Sequence, residues 1–374
     1  MAEYLTNTVD LTAVANAIRE KGGTSEQLAC PDGFVAAIQA IQTGVPLQIT
    51  VATNAGATVT ATKGSKTVSG TADTSGNCTL TVDEAGTWTI TAVTASTTKT
   101  SDVVVGISNV DLPLVDSVLN NNSWETIKKV SDAGQGENYW SVGDRKEVTL
   151  NGTVGHLTLS NYTTYAFIIG FNHNASVEGA NRIHFQLAKT ALSGGIDVAL
   201  CDSSYNSTVW STGYFSMNSS QTNSGGWKSS QMRTNICGTS LSSYSGTIIA
   251  VIPAALRAVL KSVTKYTNNT GNSSAASAVT ATTDYFFLLS EFEVFGSISY
   301  GNKNEKNKQA QYAYYSSGNS KIKYKHNSTS TAAHWWLRSP RASNSTYFMR
   351  VHASGMDDYA GANYSFGFAP GFCV

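Results

Sequence analysis

Charge is the scarcest ingredient of this 374-residue chain: Asp, Glu, Lys and Arg make up 13% of it, with 25 basic residues balanced by 25 acidic ones. An average soluble protein carries about 25%. A neutral chain of this kind has no basic stripe with which to hold DNA, RNA or an anionic membrane surface, so no nucleic-acid partner is expected. Long apolar runs are missing too. Nowhere do 18 apolar residues follow one another, and Met1-Ala-Glu-Tyr-Leu5 is not a basic stretch leading into an apolar one; neither membrane insertion nor a signal peptide is expected. Paired cysteines are absent: Cys30, Cys78, Cys201, Cys237 and Cys373 form no CxxC and have no His at zinc-finger spacing. They read as buried thiols, with no metal and no cofactor. Phosphate loops, HExxH and calcium loops are absent as well. What is present is core material, 41% hydrophobic and 10% aromatic, under a surface of Ser, Thr, Asn and Gly. That is a folded, β-rich composition.

Three regions follow from the patterning. In residues 1–45, Asp10 can cap a helix carrying Leu11, Val14, Ala15 and Ile18 on one face, closed by Gly22-Gly23, and Phe34, Val35, Ile38 and Ile41 repeat the spacing before Gly44 and Pro46. Two such helices bury little between them, which predicts an attachment module. Residues 46–108 alternate with period two, through Leu47, Ile49 and Val51, Val59 and Ala61, Cys78, Leu80 and Val82, Trp88, Ile90 and Ala92, then Val103 and Val105. Turns at roughly 8 to 12 residues make this an all-β, Ig-like sandwich with Trp88 in its core, a spacer without chemistry. Residues 109–374 read as α+β. Asn122 is the expected cap of a helix with Glu125, Trp124, Ile127 and Val130 that stops near Gly134. Pro253 should open another, with Leu256, Val259, Leu260 and Val263 on one stripe and Arg257, Lys261 and Lys265 elsewhere. Strands are expected at Ala166–Gly170, Arg182–Leu187 and Tyr285–Leu289.

Catalytic candidates are few. His173, between Asn172 and Asn174, has no second His or carboxylate at helical or strand spacing. His184 alternates with Ile183 and Phe185, as a solvent-facing or satisfied buried imidazole. Ser290-Glu291-Phe-Glu293 lacks the glycines of a nucleophile elbow, so Glu291 is expected to cap or pair locally. Between Gly301 and Lys325, Lys303, Lys306, Lys308, Lys321, Lys323 and Lys325 interleave with Tyr312, Tyr314, Tyr315 and Tyr324. This pattern can bind single strands, but in a neutral chain it reads as a solvated helix and loop.

The last stretch is different in kind. From His326 to Val374 there is no Lys, Glu or Gln, where roughly five would be expected. Between the apolar anchors His334-Trp-Trp-Leu-Arg-Ser-Pro340 and Gly367-Phe-Ala-Pro-Gly-Phe372 stand Arg341, Ser343, Asn344, Ser345, Thr346 and Tyr347. Arg350, His352, Ser354, Asp357, Asp358, Tyr359, Asn363 and Tyr364 follow. Tyr, Ser, Asn, Asp, Gly and Arg are the residues of paratopes: rigid amphipathic rings supply area and small polar groups adaptable hydrogen bonds. Arg350, His352 and Ser354 alternate with Val351 and Ala353, placing the first set on one face of a strand.

The run Trp335-Trp-Leu-Arg-Ser339, the variegated tract and the closing Gly367–Phe372 motif resemble the C-terminus of variable proteins of diversity-generating retroelements. Trp124–Ile127 through Gly170–His173 and Ala281–Tyr285 through Phe295 resemble the body of phage-encoded members. The helical start is similar to the N-termini of tail-associated phage proteins. The resemblance implies a C-type-lectin-like fold for 109–374, with a variable region at about 333–366. It also implies error-prone copying at adenines, which turns Asn codons into Ser, Thr, Tyr, Asp, His, Arg, Gly or Ala but not Lys, Glu or Gln. By position, Trp335, Trp336, Leu337, Arg338 and Phe372 become scaffold. The ligand-binding positions become His334, Phe366 and the polar residues from Arg341 to Tyr364. The implied function is non-enzymatic recognition of a host cell-surface protein or glycan by a phage-tail adhesin in the virion. Other tail proteins would be held by the N-terminal module, with room for a homo-oligomer. The calcium-lectin sugar motif is absent. Two alternatives remain: a purely structural particle protein, and an enzyme on the related formylglycine-generating scaffold, for which Cys201 and Cys237 are the nearest pair.

Overall fold

The computed structural model describes residues 47–84, 86–105, 110–111 and 115–374, with Thr12 and residues 15–18 in helical conformation. Most of the expected N-terminal helical module, including the helix around Phe34, Ile38 and Ile41, lies outside the described residues, as does Cys30. The chain divides into two compact units, Met1–Leu114 and Val115–Val374.

In the first unit the alternating pattern becomes seven strands: β1 (Leu47–Ala52), β2 (Thr58–Lys63), β3 (Lys66–Thr71), β4 (Asn77–Val82), β5 (Gly86–Val93), β6 (Thr98–Val105) and β7 (Val110–Asp111). They form a sheet ordered β3-β2-β5-β6 and another ordered β4-β1-β7. Only the β1–β7 pair is parallel. Period two explains the core: Ile49, Val51, Val59, Ala61, Cys78, Leu80, Trp88 and Ile90 are buried together, while Thr79 and Thr81 between them face out. The Trp88 indole nitrogen donates to the Glu84 carbonyl at 3.1 Å.

The second unit mixes helix and strand, with more strand than helix. A five-stranded antiparallel sheet runs through its centre. It is built from β8 (Arg145–Val154), β9 (Leu157–Phe171), β10 (Ile183–Lys189), β14 (Phe286–Phe287) and β20 (Gly371–Cys373), in the order β14-β20-β10-β9-β8. β10 is buried along its whole length. Phe372 lies parallel to Phe185 with ring centres 5.2 Å apart, and Trp124 meets both edge-on. Around this sheet lie β11 (Val198–Ala199) with β15 (Lys323–Lys325) and β16 (Ser328–Ala333), and the hairpin of β12 (Val263–Asn268) and β13 (Val279–Asp284). The antiparallel sheet β17 (Trp335–Pro340), β18 (Tyr347–Val351) and β19 (Asp357–Gly361) carries the C-terminal tract.

Several expectations need correction. Helix α1 (Trp124–Asp132) is capped by Ser123, whose Oγ accepts the Thr126 N–H at 3.0 Å. Asn122 is instead buried, its amide donating to the Asp116 and Val118 carbonyls of the preceding turn. The helix expected after Pro253 is a single turn, α2 (Ala254–Arg257). Its apparent stripe ends in β12, because Val263 to Asn268 pair with β13 and carry Lys265 into the core. The strand at Tyr285–Leu289 contracts to β14. The polar segment 301–325 is solvated only in part, since Tyr312, Tyr314, Tyr315 and Lys323 are buried. Those rings are not available for stacking on a nucleic acid. The thiols of Cys78, Cys201, Cys237 and Cys373 are free and buried.

Candidate functional site

β17 is buried at every residue, with Trp335, Trp336, Leu337 and Arg338 wholly inaccessible. The Trp336 indole donates to the Phe215 carbonyl at 2.9 Å and the Trp335 indole to the Lys321 carbonyl at 2.9 Å. The closing motif packs on this strand through its backbone: Gly367 N–H donates to His334 O and Gly367 O accepts from Trp336 N–H. A Cβ at Gly367 would lie 2.7 Å from Ala199 Cβ and 2.8 Å from His334 O, so this approach needs glycine.

Behind β17, Arg338 pairs with the fully buried Glu293, which sits on α3 (Glu291–Phe295) in a capping box with Ser290. Arg338 Nη2 donates to Glu293 Oε1 at 2.8 Å, Nε to Thr267 Oγ1 at 2.8 Å and Nη1 to the Leu288 carbonyl at 2.8 Å. Lys265 donates to the same Glu293 Oε1 at 3.0 Å, to Glu178 at 2.6 Å and to the Tyr312 hydroxyl at 2.8 Å. Burial would raise the Glu293 carboxyl, but Arg338 and Lys265 overcome it and hold the group well below the usual carboxylate range. His173 stacks on Tyr312 at 3.7 Å and stands 3.8 Å from Glu178. Burial, aided by Lys265, pushes its imidazole down to about 3, so it is neutral. His173, Glu178 and Glu293 hold candidate ligand atoms within 4.8 Å of one another. No carboxylate stands at helical or strand spacing from His173 in the sequence, and it is the fold that brings two beside it. The Lys265 ammonium already fills the space between the carboxylates. Burial pushes the Glu178 carboxyl up to about 7 against the pull of Lys265, while Glu293 stays ionised between Lys265 and Arg338, which makes the cluster a buried salt-bridge network centred on Glu293. Glu291 acts locally, accepting the N–H groups of Ser299, Tyr300 and Gly301 at 2.6 to 3.1 Å. His184 is a buried imidazole beside the Tyr312 hydroxyl, at 3.1 Å.

In front of this floor lies the variegated tract. Ser343, Ser345 and Ser354 are exposed, and His334, Arg341, Asn344, Thr346, Tyr347, Arg350, His352, Asp357, Asp358, Tyr359 and Tyr364 are half-buried. Two expected site residues do not project. Asn363 and Phe366 are each 1% exposed, because Phe366 supports the surface from below. Its ring lies under the Arg350 guanidinium at 4.4 Å, parallel to Tyr364 at 5.6 Å, and edge-on to His334 and Trp336. The expected alternation of Arg350, His352 and Ser354 with Val351 and Ala353 holds only at Arg350 and Val351, because β18 ends at Val351 and His352 and Ala353 are both half-buried in the turn that follows. The register pairs Arg350 with Asp358, and Arg350 Nη2 meets Asp358 Oδ2 at 2.7 Å. On the other face Tyr347 stacks on Tyr359 at 5.3 Å, and Tyr300 meets Tyr359 edge-on at 5.0 Å. The His334 ring accepts the Ala353 N–H at Nδ1, and burial with Arg350 nearby lowers it to about 4, so it presents no charge at neutral pH.

A second segment grips the tract through main-chain atoms. The N–H groups of Asn206, Val209, Asn218 and Asn223 donate to the carbonyls of Ser365, Asn363, Ala362 and Ser345 at 2.7 to 2.9 Å. Asn223, buried and outside the tract, adds side-chain bonds to the carbonyls of Arg341, Asn344 and Tyr347. Composition gave no signal for this clamp. It also gave none for Trp210, which is 70% exposed and follows Val209, or for Tyr300 and Met356, 41% and 63% exposed.

Residues 205–374 match a family model described as a domain of unknown function (DUF6273), a span containing both the clamp and the tract. No curated protein matches the chain.

Proposed function

We propose that the C-terminal unit is a recognition module: a C-type-lectin-like domain of the diversity-generating variable type that displays a changeable surface on an unchanging backbone. The observation that carries this reading is the main-chain grip. The bonds from Asn206, Val209, Asn218 and Asn223 end on tract carbonyls, and Ser365 and Phe366 return their main-chain N–H groups to the Ser207 and Phe215 carbonyls, so on the tract's side of these bonds the partners are main-chain groups that do not depend on side-chain identity. Tract side chains can therefore be exchanged without loosening what holds them, and substitutions at exposed positions change stability by within about 0.5 kcal/mol. The floor of Trp335, Trp336, Phe348, Met349 and Phe366 supplies the rigidity that an adaptable binding surface needs.

Under this proposal the N-terminal unit is an Ig-like spacer beyond an attachment module. The whole is a phage-tail adhesin carried in the virion, and it recognises a protein or glycan on a host cell. Missing charges at the surface are replaced by Tyr, Ser and Asn, which bind by area and hydrogen bonds. No helix among the described residues is long and apolar enough to cross a membrane. The enzymatic alternative has less support: burial pushes the Cys201 thiol up to about 12 and raises Cys237 well above its ordinary value, so neither is a ready nucleophile or ligand.

The test replaces Ser343, Ser345, Tyr347, Ser354, Asp357 and Tyr364 with Asn. Capture of the bacterium that carries the gene, or of the host of its phage, should be lost while Tm moves by only a few degrees. Capture surviving the replacement would end the proposal.

A further inference from the structure

Seven arginines are described in the structure, and six of them donate to a carboxylate or a carbonyl. Arg145, Arg182 and Arg257 reach carbonyls, and Arg233, Arg338 and Arg350 reach Asp284, Glu293 and Asp358. Arg341 does neither. Among the described residues its guanidinium forms no ion pair and no hydrogen bond, and its Nε is buried without a partner. The group is nonetheless held in place. Its central carbon lies 3.8 Å from the ring centre of Tyr359 and 5.7 Å from those of Tyr300 and Tyr347. Both ends of the cage are fixed through the backbone: Arg341 N–H donates to Tyr347 O and Ala342 N–H to Tyr300 O. Tyr300 is set in turn by the buried Glu291, which accepts its N–H at 3.1 Å.

We infer that Arg341 in its three-tyrosine cage is a binding point for one isolated carboxylate of the ligand, an assignment that rests on the recognition surface proposed above. Stacking consumes the faces of a guanidinium and leaves its N–H edge free, and that edge is a fork matched to a carboxylate. Ordering by the rings means little side-chain entropy is lost when the anion arrives. The neighbours limit the charge. Asp357, on the same face of β19 as Tyr359, forms no ion pair among the described residues and repels a second anionic group. Arg350 is already neutralised by Asp358. The adjoining Ser343, Asn344, Ser345 and Thr346 offer only neutral hydrogen-bonding groups. The chemistry recognised is thus a single carboxylate in neutral, polar surroundings, which a sugar acid and a glutamyl side chain both present.

Calorimetric titration of the full chain with glucuronate and glucose, and with N-acetylglutamate and N-acetylglutamine, tests the assignment and separates the two sources. At least one acid should bind about tenfold more tightly than its neutral counterpart, the factor expected of one charge-assisted contact. Arg341→Gln should abolish the preference and Arg341→Lys should keep part of it, both with an unchanged melting curve. Equal binding of acid and neutral probe, survival of the preference in Arg341→Gln, or no acid binding at about 10 mM would overturn the inference. Equal binding that disappears in Tyr347→Ala would overturn it while leaving the recognition surface intact. Absence of any tract-dependent binding would count against both.

Discussion

Asn223 holds Tyr347 by its main chain: the side-chain amide donates to the Tyr347 carbonyl at 2.9 Å, and also reaches those of Asn344 at 2.7 Å and Arg341 at 3.3 Å. One buried amide therefore pins the turn between β17 and β18. Asn223→Ala takes a donor from the part-buried Arg341 and Asn344 carbonyls and leaves Tyr347 O with only the Arg341 N–H, a loss of about 2 to 3 kcal/mol. Ser343→Ala and Ser345→Ala on the same turn should stay within about 0.5 kcal/mol. Denaturant unfolding measures the first difference, and amide exchange over 341–347 should show the turn opening only in the Asn223 variant. Unchanged protection there would remove the clamp from the account.

Phe366 separates support from display. It belongs to the tract in sequence and to the floor in space, so Phe366→Ala should cost about 3 to 5 kcal/mol, the range for a buried aromatic. Tyr364→Ala, whose ring lies on top of it, should cost clearly less and fall on binding instead. Thermal melts of the two variants decide the order, and the reverse order would contradict the layering.

The network behind β17 should be intolerant of single cuts. Lys265→Met or Arg338→Met leaves a buried carboxylate short of one counter-charge, at about 3 to 5 kcal/mol each. Since both cations contact Glu293, the double variant should cost less than the two single losses added. Strict additivity in a double-mutant cycle would show that the groups do not act together.

Glu305 gives the pH dependence a direction. Burial pushes its carboxyl up to about 7, above the ordinary value of 4.5, against the pull of the Asn268 N–H and the Ser339 hydroxyl. The folded state holds this proton more tightly than the unfolded chain, so its contribution is intact below pH 4.5 and is lost as pH rises through 7. Glu305→Gln should match the wild type near pH 5 and exceed it by roughly 2 kcal/mol near pH 8. A stability difference that does not change between pH 5 and 8 would show that Glu305 is ionised when folded.

How much of this was legible depended on the range of the interactions. Period two in residues 47–103 placed Trp88 and its neighbours correctly, because a strand's facing is a local property. Trp335, Trp336, Leu337 and Phe372 were expected as scaffold from the tail's resemblance to the variable proteins, not from composition, and all four are buried. Phe366 and Asn363 were misassigned because composition cannot say which way a strand or turn faces. Lys265, Glu178 and Glu293 were invisible as a group, since they come from three elements whose meeting is fixed by sheet pairing. Lys265 even suited a solvent-facing helix until β13 claimed its segment as a strand. Asn223 and Trp210 had no local signal, because an asparagine or tryptophan in a Ser- and Gly-rich loop looks the same whether it clamps a neighbour or faces water.

The central claim is that side-chain identity varies where the backbone does not, and sequencing many copies of the gene from one population tests it most directly. The account predicts substitutions concentrated at outward positions from Arg341 to Tyr364. Phe348, Met349, Val351, Phe366, the β17 residues Trp335 to Arg338, and Asn223 should remain constant. Copies that are invariant throughout, or that vary as freely at Trp336 and Asn223 as at Ser345 and Tyr347, would contradict it.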